Sequence, residues 1–187
     1  MRRVVHIFGA SGSGTSTLGR AISEKTGYIY LDSDDYLWAP TDPKFTTKRT
    51  PAERLALLVK DIDEAENAVL SGSLVGWGDP LIPGFTLAVR LVVPHDIRME
   101  RLKRRELMRY GDRIRPGGDM YRVHQDFLAW AAAYDEGPAS MRSCAMHDLW
   151  QQQLTCPLLT LDGTQPPWRS WLRRCWKRYK DDKKRSR

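Results

Sequence analysis

No stretch of this chain approaches the roughly 18 consecutive apolar residues that a membrane-spanning helix needs, so no such helix and no membrane partner are expected. The opening residues, Met1-Arg2-Arg3-Val4-Val5-His6, lack the apolar core and the cleavage site of a secretory signal and run straight into a strand. Cysteine is scarce. Cys144, Cys156 and Cys175 are an odd number without metal-ligand spacing, and they read as reduced thiols of a cytoplasmic protein. Internal repeats are absent, and low complexity is confined to the C-terminal tail. At 187 residues the chain fits one domain with a sizeable core, as a monomer or a homodimer.

Net positive charge is also missing from most of the chain, although the whole carries +7. Residues 169–187 hold ten Lys or Arg and two Asp, a net of +8, which leaves −1 for the rest. The basicity therefore belongs to an appendage, and the expected division is a body over 1–165 and a tail over 166–187. In the tail Trp168, Trp171, Leu172, Cys175 and Tyr179 fall at helical spacing, which fits an amphipathic helix docked on the body. A nucleic-acid or anionic-membrane contact is the alternative.

What is present is a glycine-rich loop in a telling context. An apolar run, Val4 to Phe8, leads into Gly9-Ala10-Ser11-Gly12-Ser13-Gly14-Thr15-Ser16-Thr17, and a helical pattern follows to Lys25. Strand, glycine-rich turn and helix is the setting of a phosphate-binding (Walker A) loop. Gly9, Ser11, Gly12, Ser13, Gly14, Thr15, Ser16 and Thr17 are the expected phosphate contacts, through backbone N–H groups and the positive end of the helix dipole. Ser16 falls where a hydroxyl holds Mg²⁺. The spacing G-x-x-x-x-G-x-S wants lysine before the serine, and Thr15 stands there instead. The backbone cradle is intact, but the cation that reaches the β- and γ-phosphates is lacking.

The first helix is expected over Thr15–Thr26, closed by Gly27. A short strand over 28–31 ends in Asp32-Ser33-Asp34-Asp35-Tyr36. Carboxylates at the carboxyl end of such a strand lie where open α/β sheets bind ligands. Asp32 and Asp34 are candidate Mg²⁺ ligands, and Asp34 is a candidate acceptor for the proton of an attacking hydroxyl; a polar turn that caps the next segment is the plain alternative. Residues 38–50 read as a loop. Thr50-Pro51-Ala52-Glu53 opens a helix with a capping box, and Leu55, Leu58, Val59 and Ile62 form its inner stripe. Further strands are expected over 68–74, 86–93 and 157–161, the first running into Gly76-Trp77-Gly78, whose glycines imply close approach to a ligand or another segment. Helices are expected over 120–134, with Val123 and Trp130 on the apolar side, and over 139–153. His124 and His147 on these helices read as structural. Alternating strands and helices imply a parallel sheet covered on both faces.

Residues 98–115 carry eight Lys or Arg against three acids. Arg101, Arg105 and Arg109 recur every four positions and share one helix face, while Ile97, Leu102 and Met108 are available for burial. The helix ends at Tyr110-Gly111, and Arg113 and Arg115 follow in a glycine- and proline-containing loop. A loop that brings arginines over a phosphate site is a lid, here about 109–120. The plain alternative is a solvated, salt-bridged helix face.

Residues 9–18, 32–36, 71–78 and 98–121 together resemble the P-loop small-molecule kinases of the adenylate-kinase-like (nucleoside monophosphate kinase-like) group, here with a lysine-free Walker A loop. The resemblance spans roughly residues 3–163. It implies a three-layer α/β/α fold with a five-stranded parallel sheet of order 2-3-1-4-5, an arginine-rich lid, ATP with Mg²⁺ as phosphoryl donor, and a small-molecule acceptor. It further implies that Arg101, Arg105 and the lid arginine Arg113 clamp the transferring group beside Asp34. Thr15 departs from the pattern: either a lid arginine takes the place of the lysine, which is the expectation, or the protein binds nucleotide with little or no transfer. A nucleic-acid-binding role through the basic tail is the further alternative.

Overall fold

The computed structural model describes residues 2–164. The expected tail helix and the division at residue 165 lie outside the described residues. Five strands, β1 (Arg3–Gly9), β2 (Ile29–Asp32), β3 (Asn67–Ser71), β4 (Leu87–Val92) and β5 (Leu158–Asp162), form one sheet of order β2-β3-β1-β4-β5. Every pairing is parallel, with Val5 opposite Val69 on one side and Leu87 on the other. This is the expected order, and it places the carboxyl ends of β1, β2 and β4 along one edge.

The helices are α1 (Thr15–Thr26), α2 (Ser33–Leu37), α3 (Pro51–Glu64), α4 (His95–Tyr110), α5 (Tyr121–Ala132) and α6 (Cys144–Trp150). Alternation along the strands divides the apolar residues between two faces. Ile7, Val69, Val89 and Leu91 pack with Leu18 and Ile22 of α1. Val4, Phe8, Ala68, Leu70 and Ala88 face the other way, onto Leu58 and Ile62 of α3 and Trp150 of α6.

Several local expectations hold to the residue. Gly27 ends α1 in the left-handed region, and Thr50 begins α3 with both arms of the capping box formed. Others shift. The third strand stops at Ser71 because Gly72 turns away at φ +101, where a Cβ would lie 1.8 Å from Ser33 Oγ. The close approach to another segment is thus made by Gly72; a Cβ at Gly76 would meet nothing within 4 Å, and one at Gly78 would meet Leu74 of the same turn at 2.6 Å. Val59, Val123, Trp130 and Met108 are exposed, not buried. The inner stripe of α4 is Arg98, Leu102 and Glu106, two charged residues around one leucine. The expected helix over 139–153 begins only at Cys144, where Ser143 caps it, and ends in a 3₁₀ turn, Gln151–Gln153.

Candidate active site

The phosphate loop is shaped by contacts that exclude side chains. β1 ends at Gly9, where a Cβ would sit 2.5 Å from the Leu91 carbonyl oxygen. Gly12 adopts φ +81 and would meet the Arg98 carbonyl at 2.8 Å. Between them the Ser13 N–H donates to the Ala10 carbonyl, closing a tight turn. Ser13 is buried, and its hydroxyl has no hydrogen-bond partner among the described residues. Gly14 is the N-cap of α1 at φ +95, and a Cβ there would meet nothing within 4 Å. The first bond into α1 runs from the Leu18 N–H to the Gly14 carbonyl, so the N–H groups of Thr15, Ser16 and Thr17 stand free of the helix ladder at its positive end. The concave side of this loop is open and rich in donors, which is the environment an anionic phosphate chain requires.

An acidic edge borders it. The Ser16 hydroxyl donates to Asp32 Oδ2 at 2.8 Å. The Tyr30 hydroxyl donates to the same oxygen at 2.7 Å and lies 2.7 Å from Ser71 Oγ. Its one proton goes to Asp32, so Ser71 is the donor in the second bond. Burial, and then the Asp32 carboxylate against the bond from Ser71, hold the Tyr30 hydroxyl up at about 12. Asp32 Oδ1 accepts from the Asp34 N–H and caps α2. The Asp34 carboxyl is pushed up by desolvation first and by Asp32 second, while Arg142, Arg105 and Arg109 pull it down. Hydroxyl and carboxylate oxygens of this kind suit Mg²⁺, which takes one or two protein ligands and completes its shell with phosphate and water.

The arginines divide into distinct settings. Arg101 is turned to the end of β5, donating to the Gly163 and Thr164 carbonyls at 2.9 Å each, with a longer contact to Gly12 at 3.5 Å. Arg105 bonds the buried Glu106 at 3.0 Å, and Arg109 reaches the same carboxylate at 3.7 Å. Arg113 forks onto Asp119 at 2.9 and 2.6 Å, inside the segment expected to be a lid. That segment touches loop 38–50: the Arg109 guanidinium lies 4.8 Å from the Phe45 ring centroid, and the Tyr110 hydroxyl reaches the Lys44 carbonyl at 3.5 Å. A cavity of about 310 Å³ remains between them, lined by Asp42, Lys44, Phe45, Arg109, Tyr110 and Arg113.

Two arginines beside the loop were not singled out by sequence. Arg98 is fully buried beneath it; its guanidinium group bonds the Val93 carbonyl at 3.2 Å, pairs with Asp135, and reaches the Ser11 and Ala131 carbonyls at 3.5 Å. Its spacing with Leu102 and Glu106, i, i+4 and i+8, is the signal that marks it. Arg142, just before α6, donates from Nη2 to the Gly9 carbonyl at 3.3 Å, and no local pattern points to it. His147 has a structural setting: Tyr134 lies 2.7 Å from Nδ1 and Ser73 3.0 Å from Nε2, and burial drops its pKa to about 3.

A protein-family model described as an AAA domain matches residues 5–120. The uncharacterized protein YqaC of Bacillus subtilis (strain 168) is 46% identical over 162 residues, covering 87% of this chain and 89% of that protein. Among solved structures, shikimate kinase from Acinetobacter baumannii in complex with shikimate is similar at a TM-score of 0.52 and 16% identity, covering 98% of this chain and 96% of that one. Shikimate kinase from Bacteroides thetaiotaomicron is similar at 0.54 and 15%, covering 96% and 97%. At these identities the likeness is one of fold, and the fold is that of the P-loop kinases. No helix among the described residues is long and apolar enough to cross a membrane.

Proposed function

The chain belongs to this AAA-domain family, and from that premise we propose that it is a small-molecule kinase of the adenylate-kinase-like kind, working in the cytoplasm with ATP and Mg²⁺. The observation that carries the reading is the Ser16–Asp32 bond at the mouth of the glycine loop. It sets a hydroxyl and a carboxylate together where the phosphates of a nucleotide would need a metal. The similar shikimate kinases support an acceptor of small-molecule size.

In this reading Gly9, Ser11, Gly12, Ser13, Gly14, Thr15, Ser16 and Thr17 form the cradle for the donor phosphates. Ser16 and Asp32, with Asp34 beside them, hold Mg²⁺, which when bound neutralises phosphate charge. In the transfer, the bond from the γ-phosphorus to the β–γ bridging oxygen breaks and a bond from the acceptor hydroxyl to that phosphorus forms. The hydroxyl proton passes to Asp34, and ADP leaves. Arg105 and Arg109, whose charges already act on Asp34, lie on the side of the transferring group. Arg101 joins the end of β5 to the loop, and Arg113 staples the lid to itself until a ligand competes with Asp119.

Calorimetry with Mg²⁺–ATP tests this on the wild type and on Gly14→Val, which strains φ +95 and fills the open side of the cradle. Binding that needs Mg²⁺ and is lost in the variant is expected, followed by ADP release with one of a panel of hydroxylated or phosphorylated acceptors. Absence of binding to either protein overturns the reading. Thr15 favours a second one, nucleotide binding with little transfer, which tight binding without ADP release across the panel would select.

A further inference from the structure

Resting on that reading, we propose that Arg142 takes the place of the lysine missing at position 15, bringing its guanidinium from the segment before α6 onto the γ-phosphate of ATP. The vacancy has a definite position. Side chains at the start of a helix lean back toward its N-terminus, so a lysine at position 15 would extend over the loop toward the residue that opens it, Gly9. Arg142 Nη2 lies 3.3 Å from the Gly9 carbonyl oxygen. A cation already stands, from a different element, where the lysine's ammonium would point.

The rest of its setting fits a phosphate ligand better than a structural tie. The guanidinium lies over the exposed Trp130 ring, 5.3 Å from its centroid, a cation–π contact. Nε is buried with no hydrogen-bond partner among the described residues. A buried guanidinium N–H without an acceptor is costly, and phosphate oxygens would supply acceptors to two donors of one fork. Burial works against the Arg142 charge and lowers its pKa, and the Asp34 and Asp32 carboxylates offset part of that; Asp32 is the residue bonded to Ser16. Arg142 thus stands on Gly9, the residue that opens the loop, with its charge acting on Asp34. The other arginines named above already have partners: Arg98 beneath the loop, Arg101 on Gly163 and Thr164, Arg105 and Arg109 on Glu106, Arg113 on Asp119.

The test is the affinity of the full chain for Mg²⁺–ATP and for Mg²⁺–ADP, since only ATP carries the group in question. Arg142→Ala is expected to weaken ATP about 10- to 100-fold, the scale of lost charge-assisted hydrogen bonds, and to leave ADP within about twofold. Thr15→Lys in the Arg142→Ala background is expected to restore most of the preference for ATP. Arg142→Lys, which keeps the charge but loses the fork, is expected to keep part of it, and this arm decides the matter if the alanine variant does not fold. Equal weakening of ATP and ADP, or no rescue by Thr15→Lys in a folded protein, overturns the proposal. A wild type that binds neither nucleotide removes the kinase reading and this one with it, whereas a wild type that binds both without preference removes this one alone.

Discussion

Ser16 and Asp32 are bonded through Oγ and Oδ2 at 2.8 Å, across the gap between the first turn of α1 and the end of β2. The same carboxylate takes the Tyr30 hydroxyl and caps α2, so one side chain ties the phosphate loop to the acidic edge. Asp32→Asn keeps the cap acceptor and removes the charge. It is expected to lower nucleotide affinity in Mg²⁺ by about 10- to 100-fold and to leave the affinity measured without Mg²⁺ nearly unchanged. Calorimetry at fixed ATP with and without the metal checks this, and an unaltered metal dependence would count against Asp32 as a ligand.

Gly12→Ala is expected to damage the loop and the fold together. The added methyl would lie 2.8 Å from the Arg98 carbonyl at a backbone φ of +81. Strain and overpacking of this kind cost about 1–3 kcal/mol, read as a lower urea midpoint, and nucleotide binding should weaken in parallel.

Stability is expected to fall on mild acidification. His6 is stacked between Phe8 and Phe85 with ring centroids 5.5 and 4.9 Å away, and burial lowers its pKa to about 3. His147 has a value of about 3 for the same first cause. Unfolded, both sit at 6.5 and bind protons that the folded chain excludes. Their contribution is therefore complete above pH 6.5 and is lost as the pH falls toward 3. The slope approaches about 1.4 kcal/mol per pH unit for each histidine. Urea midpoints between pH 6 and 5 read it above the range of the depressed carboxyls Glu53, Asp119 and Asp162, whose ordinary values are 4.5 and 3.8, with the raised carboxyls Asp34 and Asp35 acting in the opposite direction. His6→Phe should roughly halve the slope; an unchanged slope would mean His6 does not carry it.

Thr50→Ala is expected to cost about 1 kcal/mol by removing the acceptor for the Glu53 N–H. Thermal melting should drop by roughly 2–4 °C, with nucleotide affinity unaffected because the cap is remote from the loop.

The legible parts of this molecule were those written over short distances. The glycine spacing, the cap at Thr50, the stop at Gly27 and the acids after β2 each declare themselves within five or six residues, and the parallel sheet follows from their alternation. Arg98 and Glu106 were opaque because polarity argues for solvent. Their burial depends on Asp135 and on carbonyls of two other segments for Arg98, and on Arg105 and Arg109 for Glu106. Met108 was misplaced for the converse reason: it is apolar, but two residues from the buried Glu106 it falls on the opposite, exposed side of α4. Arg142 comes to the loop from 133 residues away along the chain, and only the closure of the sheet against α6 brings it there.

Arg98 fixes a common origin for three parts of the chain, since one guanidinium group reads carbonyls of the phosphate loop, of the segment after β4 and of α5. The loop is thereby tied to the last turn of α5, at the end away from residues 109–120. What freedom remains for opening and closing is left to the span between α4 and α5, where Gly111 and Gly117 hold positive φ of +55 and +88. On the kinase reading proposed above, entry of an acceptor becomes a matter of that short span pivoting on a fixed base, and its rate should respond to changes at those two glycines while the resting shape of the cradle does not.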